Sequence, residues 1–190
     1  MKQSLMISIK LLVLLTVITG VFYPITVTTL AQLFFPHQSN GSLIWEDGQI
    51  VGSELIGQSF SDPAYFWGRL SATGSFPYNS LSSGGSNLGP MNEDLYNNAS
   101  KRIEALQLAD PDNQQPIPID LISTSASGLD PHISIASARY QMERVANARG
   151  VPLDLVSELV EQYTLKPTFG FIGEGRVNVL LLNLALDMKD

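Results

Sequence analysis

The side chains that could support catalysis or hold a metal ion are few in this sequence. It contains two histidines, His37 and His132, and no cysteine among its 190 residues. Zinc sites draw mainly on histidine and thiolate ligands, so a zinc centre here would need a ligand set made mostly of carboxylates. The H-E-x-x-H metalloprotease motif is also absent from the sequence. We therefore predict no metal site.

Asp130 and His132 form the one pair of side chains that could serve as a catalytic dyad. In a serine hydrolase, His132 would act as the general base and Asp130 would orient it. The G-x-S-x-G motif that presents the nucleophile of many hydrolases is absent. A simpler interpretation is that Asp130 organises the turn at Pro131 and that His132 bonds locally or contacts a partner protein. We predict no catalytic residues, and an anchored hydrolase remains the alternative.

A second candidate site is the polar segment of residues 68–90, which is rich in glycine, serine, proline and asparagine. This composition disfavours regular structure, and long loops in compact domains are often functional. The centre of the segment, which can present several backbone N–H groups to an anion, comprises Ser83, Gly84, Gly85, Ser86 and Asn87. The lysine and the spacing of a P-loop are absent, so ordinary loop glycines are the alternative interpretation.

The element that must position these polar segments is an uncharged apolar run from Leu11 to Phe35. As a helix it measures about 37 Å, enough to cross a hydrocarbon core of about 30 Å. A lone span must satisfy its own backbone hydrogen bonds in lipid, so a helix is the expected form. We predict one transmembrane helix that contacts membrane lipid through residues 11–35. Residues 1–36 would form the anchor and residues 37–190 one soluble domain.

Basic residues flank the apolar run on its N-terminal side only. Lys2 and Lys10 precede it, whereas the first lysine or arginine after it is Arg69. By the positive-inside rule, the N-terminus stays in the cytoplasm and the soluble domain faces the outside of the plasma (inner) membrane. A cleaved signal peptide ending near Ala31 is the alternative, but the run exceeds the usual signal core of about 7–15 residues. We predict a retained single-pass anchor.

The soluble domain is strongly acidic. Residues 37–190 contain all 18 acidic residues and 9 of the 11 basic ones, which gives a net charge of −9. This balance argues against nucleic acid and anionic lipid headgroups as partners. An acidic surface raises the local concentration of cations, and solubility alone is the alternative explanation.

Hydrophobic periodicity and cap residues predict an α+β domain with a small sheet and about four helices. A hairpin is predicted over residues 42–52 around Asp47-Gly48, and a strand with edge character over residues 117–122 because of Pro118. Residues 123–134 are predicted to form a second polar loop. Helices are predicted from the Asn92 cap to Asp110, from the Ser134 cap to Gly150, from Pro152 to Tyr163 and over residues 177–188.

Several longer motifs point to one family. They are Trp67-Gly68-Arg69-x-Ser71-Ala72-Thr73, Pro77-Tyr78-Asn79, the run from Ser83 to Pro90, the run from Ser127 to Ser134, and the run from Arg176 to Asp187. In order, spacing and the single preceding membrane span, they resemble the C subunits of Kdp potassium-transporting ATPases across nearly the whole chain. Leu70 and Gly175 depart from that family, which usually has proline at the first position and often at the second.

The resemblance implies a non-catalytic subunit of a complex that imports potassium with high affinity at the expense of ATP. The implied partners are a channel-like subunit that carries the ion, a P-type ATPase subunit that hydrolyses ATP, and a very small membrane subunit. The C subunit is described as a catalytic chaperone that raises the ATP affinity of the hydrolysing subunit. Its serine–glycine loop, here Leu81 to Asn87, is likened to a nucleotide-sensing signature. This implies an ATP contact at Ser83 to Asn87 and no cofactor of the chain's own.

The charge pattern conflicts with a direct ATP contact, because ATP is cytoplasmic and the loop is predicted to face outside. An effect on ATP would then travel through the membrane helix or the partners as a coupling energy of about 1–3 kcal/mol. We therefore interpret the two polar loops as docking surfaces over the outer mouth of the channel subunit. The predicted docking residues are Arg69, Tyr78, Asn79, Asp130 and His132. An independent membrane-anchored module that binds a solute or wall component is the rival hypothesis.

Overall fold

The computed structural model describes residues 2–189, and contacts between residues divide the chain into two units after Val51. The first unit contains helices α1 (Lys2–Val17), α2 (Tyr23–Phe34) and α3 (Pro36–Ser39), strand β1 (Leu43–Glu46) and the start of strand β2 (Gln49–Ser53). The second unit contains helices α4 (Glu93–Ala109), α5 (Ile119–Ile122), α6 (Ile135–Arg149), α7 (Leu153–Gln162) and α8 (Val179–Asp187), with strands β3 (His132–Ser134), β4 (Thr164–Leu165) and β5 (Arg176–Asn178).

The first unit is built on one long apolar helix. A π-helical turn at Ile18–Phe22 joins α1 to α2, so that the helix runs continuously from Lys2 to Phe34. With a mean hydropathy of 2.4 over its most apolar window, it is long and apolar enough to cross a membrane. The π-helical turn directly precedes the turn that holds Pro24, whose ring and missing N–H disturb the hydrogen bonds of the residues before it. The predicted N-terminal apolar helix is therefore present, and it begins earlier than residue 11.

The predicted hairpin at residues 42–52 is confirmed as β1 and β2. Asp47 and Gly48 join the strands with φ angles of 48° and 77°. Two consecutive positive φ angles are what a two-residue type I′ hairpin turn requires, and an Asp-Gly pair accepts them at low cost. The local turn chemistry alone therefore located this element.

A three-stranded antiparallel sheet, in the order β3-β5-β4, forms the centre of the second unit. Ile133 of β3 and Thr164 of β4 both pair with Val177 of the central strand. Ile133 and Val177 are buried, because helices α6 and α8 follow directly from β3 and β5 and cover the sheet. The sheet is small, and the helices supply most of the core.

Side chains cap three of the long helices at their N-terminal ends. The Asn92 side chain accepts from the Asp94 N–H at 2.8 Å, and the Ser134 hydroxyl accepts from the Ser137 N–H at 3.0 Å. Gly150 ends α6 in the left-handed conformation with φ 66°. The Asn92 and Ser134 caps and the Gly150 stop are the predicted ones, and each satisfies backbone groups that the helix end leaves without partners. The fold class, one N-terminal apolar helix followed by an α+β domain, is confirmed.

Phe66 and Trp67 are buried in the core although they belong to no strand. Two buried amide side chains make the backbone hydrogen bonds that neighbouring strands would otherwise make. Asn183 accepts from the Phe66 N–H at 2.9 Å and donates to its carbonyl at 3.0 Å. Gln141 does the same for Trp67, at 2.8 and 3.1 Å. Each amide thus satisfies both backbone polar groups of one buried residue, which would otherwise lose their hydrogen bonds to water.

Trp67 lies between two arginine side chains. The guanidinium carbons of Arg102 and Arg144 lie 4.9 and 4.7 Å from the indole ring centre, within the range of cation–π attraction. Burial lowers the pKa of Arg144 to about 10, although Asp110 opposes that shift. Arg102 also donates to the Gly68 carbonyl at 2.8 Å, so this cluster fixes the start of the 68–90 segment.

The predicted strand at residues 117–122 is wrong. Its alternating pattern would bury Ile117, Ile119 and Leu121 on one face, but Ile119 is 72% exposed and Leu121 is fully buried in the single helical turn of α5. Pro118 begins that turn as its N-cap residue, a position where its missing N–H costs nothing. The carboxylate of Asp120 accepts from the Ser134 N–H at 2.8 Å, a distant contact that the local pattern could not reveal.

Two further boundaries differ from prediction. The last three residues of the predicted polar loop at 123–134 form β3, and Val177 lies in β5 rather than in the last helix. Both strands have only three residues, and their pairing joins segments more than 40 residues apart. The last helix begins at Val179 because the Asn178 side chain caps it, accepting from the Leu181 N–H at 3.1 Å.

Candidate functional site

The two predicted polar loops pair with each other in the structure. The Ser125 N–H donates to the Leu70 carbonyl at 3.1 Å, and the Gly84 N–H donates to the Ser127 carbonyl at 2.8 Å. Ser86 and Thr124 bring their hydroxyls within 3.1 Å. We call these two segments, residues 68–90 and 123–131, the paired loops. Neither contains a regular element longer than an isolated bridge, yet each satisfies backbone groups of the other.

Arg69, Asp130 and His132 meet at the edge of the paired loops. Asp130 accepts from Arg69 Nη1 at 3.2 Å and from the His132 N–H at 3.0 Å, and His132 Nδ1 lies 3.3 Å from the same carboxylate. Arg69 Nη2 donates to the Thr124 carbonyl at 3.1 Å, while its Nε is buried and finds no hydrogen-bond partner in the part of the chain that the structure describes. The three side chains are 26%, 30% and 21% exposed, so each keeps part of its surface available to a partner.

The environment of Asp130 favours its ionised form. Burial by itself would raise the pKa of this carboxyl group, but the hydrogen bonds from the His132 ring and backbone and from Arg69 outweigh burial and hold the pKa below its ordinary value. Asp130 is therefore a fixed negative charge at neutral pH. It orients a guanidinium on one side and an imidazole on the other.

Tyr78 and Asn79 shape the paired loops from within. Tyr78 donates its hydroxyl to the Arg69 carbonyl at 2.6 Å, and burial raises the pKa of this phenol to about 12. Asn79 is 8% exposed, and its side-chain amide donates to the Gly74 carbonyl at 3.0 Å. The structure thus brings Tyr78 together with Arg69 and Asp130 and turns Asn79 inward. Of the predicted docking residues, Arg69, Asp130 and His132 present the accessible polar groups.

The serine–glycine run at Ser83 to Asn87 uses its glycines for close packing. A Cβ atom on Gly85 would lie 2.9 Å from the Ala126 carbonyl oxygen, and the Gly84 N–H is already bonded to Ser127. The positive φ of this run falls on Asn87, at 51°. Close contact with the opposite loop therefore explains why glycine is needed at position 85, whereas a Cβ atom on Gly84 would meet no other atom within 4 Å. A direct ATP contact at these residues stays a prediction.

A cavity of about 500 Å³ opens beside the three charged side chains, and we call it the docking cavity. Its lining includes Arg69, Asp130 and His132 and also residues that the sequence did not single out, among them Asp120, Glu174 and Arg176. Arg69 and Asp130 line a second cavity of about 510 Å³ as well, together with Leu55 and residues 125–127. The Arg69–Asp130 ion pair thus stands between two adjacent clefts.

Local spacing does not connect Glu174 and Arg176 with the charged cluster, because they lie more than 40 residues from Asp130 along the chain. They reach the docking cavity only through the pairing of β5 with β3, which sets Arg176 opposite Ser134. Neither residue belongs to a pattern of local spacing. The signal that could have found them is the run from Arg176 to Asp187, whose first residue lies at this edge.

The surroundings of His132 give little support to the hydrolase alternative. Ser134 and Ser137, the first two serines after His132 in the chain, both donate their hydroxyls to Asp120, at 3.1 and 2.6 Å. Those hydroxyls therefore organise the start of α6 rather than approach the imidazole. Among residues 2–189, no group of three or more histidine, aspartate or glutamate side chains is arranged to hold a metal ion.

Comparison with known proteins gives one consistent result. Residues 5–188 match the family model described as "KdpC: K+-transporting ATPase, c chain". The chain is 57% identical over 187 residues to the potassium-transporting ATPase KdpC subunit of Polaromonas naphthalenivorans, covering 98% of this chain and 95% of that one. It is 58% identical over 176 residues to the same subunit of Herpetosiphon aurantiacus, covering 93% and 91%. It is 57% identical over 180 residues to that of Methylococcus capsulatus, covering 95% of each.

Proposed function

We propose that this chain, which belongs to the KdpC family of potassium-transporting ATPase subunits, is an accessory subunit that docks on its partners through the paired loops. Membership of the family makes it a subunit of a potassium-import complex. The finer parts of the proposal are that it has no catalytic role of its own, that it stabilises the complex, and that it raises the ATP affinity of the hydrolysing subunit. The family membership favours this function over an independent anchored module.

The observation that carries the proposal is the cluster of Arg69, Asp130 and His132. The Asp130 carboxylate lies 3.0–3.3 Å from its partner atoms on Arg69 and His132. The three side chains remain about a quarter exposed, beside open clefts. Partly desolvated charge clusters of this kind give interfaces their specificity and orientation. The Nε of Arg69 has no hydrogen-bond partner among residues 2–189, so it is one further donor for a docking protein.

The proposed topology determines how such docking would influence ATP. We propose that the acidic domain lies outside the plasma membrane, in line with the lysines at positions 2 and 10 before the apolar helix. The docked partner is then the channel-like subunit, and the influence on ATP passes through the partner subunits as a coupling energy of about 1–3 kcal/mol. A coupling of this size corresponds to a change of roughly 5–150-fold in ATP affinity.

Co-purification of the whole complex tests the proposal. His132→Ala and Asp130→Ala should each reduce the recovery of this chain with the P-type ATPase subunit from mild detergent, because each removes a polar docking group. Asp112→Ala is a matched control that removes a carboxylate from an exposed turn away from the docking cavity. Unchanged assembly and potassium uptake in both docking variants would refute the proposal. Purification of the unaltered chain without any P-type ATPase would favour the independent module.

A second measurement on the same complex distinguishes a direct ATP contact from an influence that passes through docking. A direct contact predicts that Ser83→Ala combined with Ser86→Ala raises the KM for ATP while assembly stays intact. Coupling through docking predicts that the KM for ATP rises only in the His132 and Asp130 variants. The two outcomes exclude each other when all variants are measured at equal amounts of assembled complex.

A further inference from the structure

The turn between β4 and β5 exposes three large apolar side chains. Phe169, Phe171 and Ile172 are 84%, 78% and 52% exposed, and we call them the aromatic tip. All three lie within residues 169–172, at the end of the hairpin. Exposed apolar patches of this kind mark interaction sites more often than isolated exposed side chains do.

The aromatic tip is a fixed turn. The backbones of Thr168 and Ile172 exchange two hydrogen bonds of 2.9 Å, and the Gly170 N–H donates to the Pro167 carbonyl at 2.9 Å. Within the three-residue loop between them, Phe169 and Gly170 have positive φ angles of 55° and 82°. Glycine, asparagine and aspartate accept positive φ most readily, so phenylalanine is costly at position 169. The requirements of the turn therefore do not explain why position 169 is phenylalanine. Contact of the ring with a partner would explain it.

The aromatic tip is contiguous with the docking cavity. The chain leaves the tip through Gly173 and reaches Glu174, Gly175 and Arg176, which line that cavity together with His132. β5 then pairs with β3, the strand that carries His132. The tip is thus joined through residues 173–176 to the lining of the cavity that the charged cluster also lines. An apolar contact point beside a polar, partly exposed rim is the usual composition of a protein interface.

We propose that the aromatic tip is the apolar contact point of the docking surface and inserts into an apolar cleft on the extracytoplasmic face of a partner subunit. This inference rests on the proposed function. A partner protein is favoured over the bilayer because the tip adjoins, along the chain, the polar lining of the docking cavity, and an apolar contact point beside a polar rim is typical of protein interfaces. Phenylalanine rings also gain most from a packed cleft, where they are fully desolvated.

A variant that keeps the turn and removes the rings tests the proposal. Phe169→Asn combined with Phe171→Thr places a residue favoured at positive φ in the turn, so the hairpin should persist. In the full chain, we expect at least about a tenfold loss of co-purified P-type ATPase subunit, the size typical of removing an interface hot spot. Leu108→Gln is the matched control, because Leu108 is 75% exposed on α4 and lies on a different element.

Crosslinking identifies what the tip touches. A photoreactive benzoylphenylalanine in place of Phe171, in membranes that contain the complete complex, should crosslink to a subunit of that complex identified by mass spectrometry. Crosslinks to lipid alone, or recovery of the double variant equal to that of the Leu108→Gln control, would overturn the inference while leaving the proposed function intact. Failure of the unaltered chain to co-purify would instead refute the proposed function itself.

Discussion

The Tyr78 hydroxyl donates a 2.6 Å hydrogen bond to the Arg69 carbonyl, and this bond ties together the two ends of one turn of the paired loops. The Tyr78 ring occupies space that a Cβ atom on Gly57 or Gly68 would need. Because Tyr78 itself has a φ of 58°, its backbone is held in a conformation that only its surroundings maintain. Tyr78 therefore holds the backbone of Arg69 in place from within the paired loops.

Tyr78→Phe should destabilise the domain and shift the titration of the protein in alkali. Loss of the bond to the Arg69 carbonyl should cost about 1–3 kcal/mol of unfolding free energy, since the acceptor stays largely buried. The raised phenol pKa, about 12 against 10.0, stabilises the fold below pH 10, and this contribution is lost as the pH rises through 12. Denaturant unfolding of the full chain in detergent, and tyrosinate absorbance against pH, measure the two effects. A variant as stable as the unaltered chain would contradict this role.

Asn183→Leu should be severely destabilising although leucine suits a buried helix. It would leave the N–H and carbonyl of Phe66 buried without partners, at a cost of about 2–4 kcal/mol in unfolding free energy. Asn97→Leu on the exposed face of α4 is the matched control and should change stability by less than about 0.5 kcal/mol. Tryptophan fluorescence during urea unfolding reports the difference. Equal midpoints for the two variants would show that the Asn183 amide does not support the Phe66 backbone.

Asp130→Asn should make the stability of the fold depend less steeply on pH in acid. The pKa of Asp130 is lowered in the folded chain from an ordinary 3.8, so its stabilising contribution is complete above pH 3.8 and disappears as the pH falls through the lower folded value. The variant lacks this contribution at every pH, and its curve should therefore fall less steeply below pH 3.8. Thermal unfolding midpoints between pH 2 and 6 measure the slopes. Parallel curves would argue against a lowered pKa.

Elements decided by neighbouring residues were predictable from the sequence. The Asp47-Gly48 turn, the Asn92 and Ser134 caps and the Gly150 stop each depend on side chains within three or four residues of the backbone they satisfy. The sheet was not predictable in this way. Its strands have two or three residues each, and only the pairing of Ile133 and Thr164 with Val177 defines them.

The residues of the candidate site also fall into those that the sequence predicted and those that only the pairing of distant strands brings to the site. Arg69, Asp130 and His132 were chosen from motifs, and the structure brings all three together. Glu174 and Arg176 were missed because only the β3–β5 register places them at the docking cavity. Asn183 is buried in the core because its side chain bonds the Phe66 backbone, a distant contact that local spacing does not reveal.

The side of the membrane on which the domain lies can be measured directly, because the chain contains no cysteine that would react in the background. We expect Leu108→Cys, at a position 75% exposed on α4, to react with a membrane-impermeant maleimide in cells whose inner membrane is intact. Ser4→Cys, which lies between the two N-terminal lysines, should react only after the membrane is opened, since positive charges hold that end in the cytoplasm. The reverse pattern would place the paired loops beside cytoplasmic ATP and make a direct nucleotide contact the better explanation of the serine–glycine run.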